Sequence, residues 1–221
     1  MKFYWLLTDE GKKRKYAWAY PIDGLPSETI ECTVCKRTWQ NSQKSRELNR
    51  PFPIVLTNNV FPDFMSCQGE SLISQRALDF LEKQGLDVSK LHKMPIVGCS
   101  ELTKEQKRSL REDGVNVKKL HDEKPTYYRL TAEKGACLHS DSNVVWVDSG
   151  EKVCKACGFG VGYKQKNWDD PIYIQKNTWN GRALFKVKEF SGPVFFCSEQ
   201  FKNGWEEEGL TGLLFEEVIV K

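Results

Sequence analysis

The chain has 221 residues, of which 39% are hydrophobic and 29% charged; it is long enough for one fairly large domain or two small ones and too apolar for wholesale disorder. Its 33 basic residues exceed the 30 acidic ones by only three, a balance that gives no strong pull toward nucleic acid or an anionic membrane. The apolar run in "MKFYWLLTDEGKKRK" stops at Thr8, too short for a secretory signal, and no segment approaches the length of a membrane span, so a cytoplasmic location is expected, with the eight cysteines mostly reduced.

In chain order, "KFYWLL" and "KYAWAYPI" are rich in aromatic residues and flank the turn signal "TDEGKK", which predicts a β-hairpin, with "KKRK" over its turn. "TIECTVCKRTW" leads a strand into a tight turn. In "SQRALDFLEKQGLDV", Ala77, Leu78 and Leu81 fall at helical spacing, Ser74 suits the N-cap and Gly85 the C-terminal stop. "TKEQKRSLREDGV" predicts a second helix, exposed and highly charged. The ending "SGPVFFCSEQFKNGWEEEGLTGLLFEEVIVK" predicts strand, helix, strand, with Ser198 capping the helix, Gly209 ending it and "LLFEEVIV" closing the fold. Gly204 inside that helix costs about 1 kcal/mol relative to alanine.

The cysteines carry the chemistry. Cys154 and Cys157 in "VCKACGFG" have the spacing of half a metal-binding turn, in which both sulfurs point at one ion and turn amides donate to them. Glycine after the second cysteine eases the turn because it adopts positive φ. Cys32 and Cys35 in "ECTVCKRTW" repeat the spacing, so four thiolates are available for one closed, tetrahedral, structural zinc that pins the early hairpin to the later half. Three other readings stay open: a local site drawing on Cys137 and His139, a redox dithiol in either pair, and chance spacing.

A weak echo links the halves. Cys32 and Cys35 match Cys154 and Cys157 at an offset of 122 (154 − 32), whereas Ser74 and Gly85–Leu86 match Ser198 and Gly209–Leu210 at 124 (198 − 74). Tyr4 and Leu6 match Tyr128 and Leu130, again at 124 (128 − 4). The expected architecture is therefore α+β, one domain over 1–221, with two similar halves (1–125 and 126–221, a possible duplication) sharing a zinc-ribbon-like four-cysteine site.

No catalytic constellation is read. Cys67, Cys99 and Cys197 are isolated, Cys197 suiting a buried strand end. His92, His121 and His139 sit in polar, irregular stretches and are expected to be exposed. Asp169 and Asp170 read as turn residues. Trp39 among Lys36 and Arg37, in "KRTWQNSQKSRELNR", fits a nucleic-acid-binding zinc ribbon, but the weak net charge argues against it.

With both cysteine turns in place, the chain resembles the double-CXXCG motif family, immunity proteins of bacterial toxin–immunity systems such as those of contact-dependent killing in myxobacteria. The resemblance spans nearly the whole length. It rests on the aromatic N-terminal strand, "CTVCKRTW", "SLISQRALDFLEKQGLD", "CKACG" and "ALFKVKEFSGPVFFCSEQFKNGWEEEGLTGLLFEEV". Lys36 departs from it, standing where the motif has glycine. The resemblance implies thiolate roles for Cys32, Cys35, Cys154 and Cys157, a structural Zn2+, no catalytic residues and a cognate protein toxin as partner; a zinc-ribbon nucleic-acid binder is the alternative.

Overall fold

The computed structural model of the chain describes residues 1–12, 15–22, 28–36, 38–41, 51–142, 144–148, 156, 161–165, 170–190 and 194–221. It is a mixed α+β protein. The N-terminal half supplies β1 (Phe3–Thr8), β2 (Trp18–Pro21), β3 (Glu28–Glu31), β4 (Thr38–Asn41), β5 (Ile54–Thr57), β6 (Phe64–Cys67), β7 (Glu70–Ser74), α1 (Gln75–Lys83) and α2 (Lys104–Glu112). The C-terminal half supplies β8 (Tyr127–Arg129), β9 (Lys134–Ala136), β10 (Val144–Asp148), β11 (Val161–Gln165), β12 (Tyr173–Ile174), β13 (Leu184–Val187), β14 (Phe196–Ser198), α3 (Glu199–Glu207) and β15 (Leu213–Val220). Among the described residues no helix is long and apolar enough to cross a membrane.

The expected hairpin between the first two strands does not form. β1 lies between β14 and β15 in a six-stranded sheet ordered β12-β15-β1-β14-β13-β9, and β2 pairs with β5. The reason is burial. Phe3, Tyr4 and Leu6 are all within 8% of fully buried, so β1 is apolar on both faces and belongs at the centre of a sheet rather than on a half-solvated hairpin. Part of "KKRK", Lys13 and Arg14, lies outside the described residues.

β8 makes the reciprocal move, closing a three-stranded sheet β6-β7-β8 in the first half. The registers correspond. Phe3 faces Ser198 and Tyr127 faces Ser74, each partner displaced by 124 residues (127 − 3 and 198 − 74). The bridge Lys93–Tyr128 likewise matches the pair Tyr4–Glu217. A parallel Ile54–Ile96 bridge has its nearest match in the parallel pair Ile174–Val220 of β12 and β15, at 124 on one side (220 − 96) and 120 on the other (174 − 54). Each half thus sends its first strand into the other half's sheet.

The helices follow the same offset. Ser74 Oγ accepts from the Ala77 amide at 3.2 Å, and Ser198 Oγ from that of Phe201 at 3.3 Å. Gly85 and Gly209 close the helices at φ +74° and +62°, with the Leu86 and Leu210 amides donating back to Leu81 and Trp205. α1 and α3 meet in one core with Tyr4, Leu6, Phe64, Ile73, Leu184 and Leu213 from both sheets. Phe80 of α1 fills the gap left by Gly204 of α3, where a Cβ would sit 3.0 Å from Phe80 Cε2. That contact explains a glycine inside a helix.

Candidate metal centre

β3 and β4 form an antiparallel hairpin whose last pair is Glu31–Thr38, so Cys32 and Cys35 occupy its tip. Cys32 is 5% exposed and Cys35 half-buried. The Cys35 amide points at Cys32 Sγ at 3.5 Å, and the Lys36 amide donates to the Cys32 carbonyl at 2.9 Å. Lys36 itself takes φ +59°, the left-handed region that glycine enters freely and other residues enter at a cost of about 1–2 kcal/mol. Lys36 thus holds the positive φ that a glycine after the second cysteine would adopt freely. The Lys36 ammonium reaches the Glu31 carboxylate at 3.5 Å, an exposed pair of little energetic weight.

β10 and β11 form a second antiparallel hairpin, from Val144–Gln165 to Asp148–Val161. The intervening stretch carries the second Cys-x-x-Cys pair in sequence. Cys154 and Cys157 lie outside the described residues, as does Gly158; Ala156, between the two cysteines, is exposed. Among the described residues each hairpin is a two-stranded sheet by itself. Such a ribbon is marginal in water unless something else holds it. No group of three or more metal-capable side chains occurs among the described residues, so a closed site on Cys32 and Cys35 needs ligands from outside them.

The other candidates are differently placed. Cys137 is half-buried, its amide donating to Thr178 Oγ1 at 2.9 Å, and His139 Nδ1 accepts the Asp141 amide at 3.2 Å. Burial, with the Glu70 carboxylate second, pushes the Cys67 thiol up to about 12, and burial likewise pushes Cys197 up, so both remain protonated at neutral pH. Cys99 is half-buried, and its amide donates to the His121 carbonyl. His92 is exposed as expected, whereas His121 and His139 are half-buried. Asp170 is half-buried at a bend, and Asp169 lies outside the described residues. Arg37 and residues 42–50, most of the basic stretch weighed for nucleic acid, lie outside them too.

Two buried polar centres had no sequence signal strong enough to find them. Asp63, 3% exposed, accepts from Ser74 Oγ at 2.7 Å, the Thr211 amide at 2.9 Å, Thr211 Oγ1 at 3.1 Å and Arg76 Nη1 at 3.2 Å. It ties the start of α1 to the turn before β15. Arg129, 2% exposed, donates through Nε to Glu70 Oε2 at 3.0 Å across the β7–β8 pair. A scan of the sequence against models of known protein families finds no match, and a search of curated proteins likewise finds none.

Proposed function

We propose that this chain is an immunity protein that binds and neutralises a cognate bacterial toxin in the cytoplasm. It carries one structural zinc held by Cys32, Cys35, Cys154 and Cys157. The observation that carries the reading is the Cys32–Lys36 turn. Its amide-to-sulfur contact and left-handed fifth residue are what a thiolate knuckle of this motif requires, and they persist where the glycine does not. Two ribbons that join no wider sheet among the described residues, each bearing a Cys-x-x-Cys pair between its strands, also favour a shared ion, because metal binding supplies what a lone ribbon lacks. The immunity assignment comes from the family resemblance, and inhibition on this reading is the covering of a toxin surface by a preformed one, which requires complementarity rather than chemistry.

The same reading takes the two halves as copies of one ancestral unit. The common offset of strand registers, helix ends and caps supports it, as does the position of each cysteine turn within a two-stranded ribbon.

Elemental analysis of freshly purified protein is expected to give about one zinc per chain, lost in both Cys32→Ser and Cys154→Ser with a fall in Tm. Affinity capture is expected to retain the toxin encoded beside this gene. Protein that holds no metal overturns the zinc site, and a neighbouring toxin left free and active overturns the immunity role.

A further inference from the structure

A cleft of about 470 Å3 opens between β2, the end of β5 and the segment that follows α2. Its position follows from strand register. Trp18 faces Thr57 and Tyr20 faces Val55 in the β2–β5 pair, so these four side chains stand on one face, and Ala19, Ile54 and Leu56 stand on the other. The second face packs into a core with Met65 and Leu72. On the first, Val55 is buried and Tyr20 half-buried against Leu102, Leu110, Val115 and Leu120. Trp18 is half-buried too, but among the described residues it joins none of the buried clusters.

The opposite wall is fixed by backbone bonds. The Asn58 amide donates to the Lys119 carbonyl at 3.0 Å and the His121 amide to that of Leu56 at 3.3 Å, while Thr57 bridges to Leu120. Asn116 caps the 3₁₀ turn Val117–Lys119, its Oδ1 accepting the Lys118 amide at 3.1 Å, which leaves Nδ2 as a donor. The cleft is thus preformed, and a ligand entering it orders no new backbone.

Its lining combines two aromatic rings with groups that donate and accept hydrogen bonds. Trp18 and Tyr20, two residues apart on one strand, place their Cα atoms about 6.5–7 Å apart. The Trp18 indole N–H and the Tyr20 phenol have no hydrogen-bond partner among the described residues, and Lys119 is exposed with no carboxylate at ion-pair distance among them. Glu10 adds a half-buried carboxylate. The Thr57 hydroxyl donates to the Trp18 carbonyl at 3.5 Å and keeps its oxygen for accepting. A wholly apolar ligand would strip water from these polar groups and give nothing back. A phosphate would meet the Glu10 carboxylate with Lys119 alone to offset it. A pyranose ring suits both kinds of surface, because its C–H face packs on an aromatic ring and each hydroxyl at its edge donates and accepts.

We propose that this cleft binds a neutral saccharide, with one pyranose ring lying on Trp18. Glu10 accepts from its hydroxyls, and Asn116 Nδ2 and Lys119 Nζ donate to them. None of these residues belongs to a cysteine turn, so saccharide binding stands or falls separately from the zinc site and from the immunity role.

The test titrates the full chain with maltotriose, cellotriose and triacetylchitotriose, and with adenosine monophosphate as an anion that also stacks. Amide and indole NMR spectra are expected to show saturable binding of at least one trisaccharide with Kd of roughly 1 mM or tighter, and shifts at the Trp18 indole, at Thr57 and at 116–119. Adenosine monophosphate should bind at least about tenfold more weakly than that sugar. Trp18→Ala should weaken sugar binding by about tenfold through loss of the stacking face. Lys119→Ala, at an exposed position, should weaken it by about threefold with Tm unchanged, and serves as the second variant if Trp18→Ala fails to fold. No binding of any of the three sugars, equal or tighter binding of the nucleotide, shifts centred elsewhere, or full affinity in both variants overturns the proposal.

Discussion

In the three-stranded sheet, Arg129 faces Leu72 across the β7–β8 pair; in the six-stranded sheet, at the same register, Trp5 faces Phe196. The neighbouring position is Glu70 in one half and Val194 in the other, again 124 residues apart (194 − 70). One frame thus holds a buried guanidinium and carboxylate at 3.0 Å. The other holds a stack in which Trp5 and Phe190 lie 6.3 and 6.4 Å from Phe196. The same register position is buried at Arg129 and half-buried at Trp5, and an ion pair fills it in one half and aromatic rings in the other. Trp5 fills it by apolar area and ring contacts, whereas Arg129 must keep a partner to offset its desolvation.

That difference sets the size of the expected effects. Glu70→Ala should cost about 3–5 kcal/mol, because it removes a buried carboxylate from a buried guanidinium. The double variant Glu70→Leu with Arg129→Leu should cost less than the single loss, bringing the first half closer to the apolar solution of the second. Urea unfolding of both variants checks this, and a double variant worse than the single breaks the comparison. Next comes Gly212, the counterpart of Val88 at the common offset. Gly212 has φ +93°, and a Cβ there would lie 2.0 Å from the Phe64 carbonyl oxygen. Gly212→Ala should therefore cost about 3 kcal/mol, combining backbone strain with a clash that the main chain of β6 cannot relieve. Val88 is not among the residues with positive φ, so its position carries no such strain.

Gly204→Ala tests the helix contact in the same way. Alanine is worth about 1 kcal/mol in helix propensity, but its Cβ would press on Phe80 at 3.0 Å. Phe80 is held edge-on by Phe201 and Trp205, with centroids at 5.3 and 5.8 Å, and has little room to yield. A net loss of about 1 kcal/mol is expected, seen as a lower urea midpoint and reduced by combining it with Phe80→Leu.

What could be read from the sequence follows the range of the interactions. Ser74 and Gly85 around α1, and Ser198 and Gly209 around α3, were legible because caps act over three or four residues. The partners of β1 were not, since apolar residues on both faces announce a central strand without naming its neighbours. Arg129 sits in "YYRLT" as an apparent surface residue, and its partner Glu70 lies 59 positions away. Asp63 meets Thr211 across 148 positions for the same reason. The echo at 124 was visible in the first strands and the caps, and at 122 in the cysteines; the offset falls by two between the first strands and the cysteine pairs and rises by two again before the capped helices, both times across connections, which vary in length most freely.

The finest contrast between the halves lies in the two cysteine turns, where the residue after the second cysteine is Lys36 in one and Gly158 in the other. Lys36 holds φ +59° because the carbonyl of Cys32 accepts its amide and the Cys35 amide is turned toward sulfur, so the turn is set by its hydrogen bonds and the side chain tolerates it. Glycine reaches that conformation without a Cβ penalty but gives up more freedom on folding, and the two effects nearly offset. Lys36→Gly should consequently raise stability by only about 0.5–1 kcal/mol, a small increase in Tm, while also removing the exposed contact to Glu31. The more telling measurement is metal competition. If the turn is half of a thiolate site, relaxing it should tighten zinc retention against a chelator relative to the parent chain. Unchanged retention with raised Tm would make Lys36 a residue of the ribbon alone, and would separate the left-handed turn from any metal.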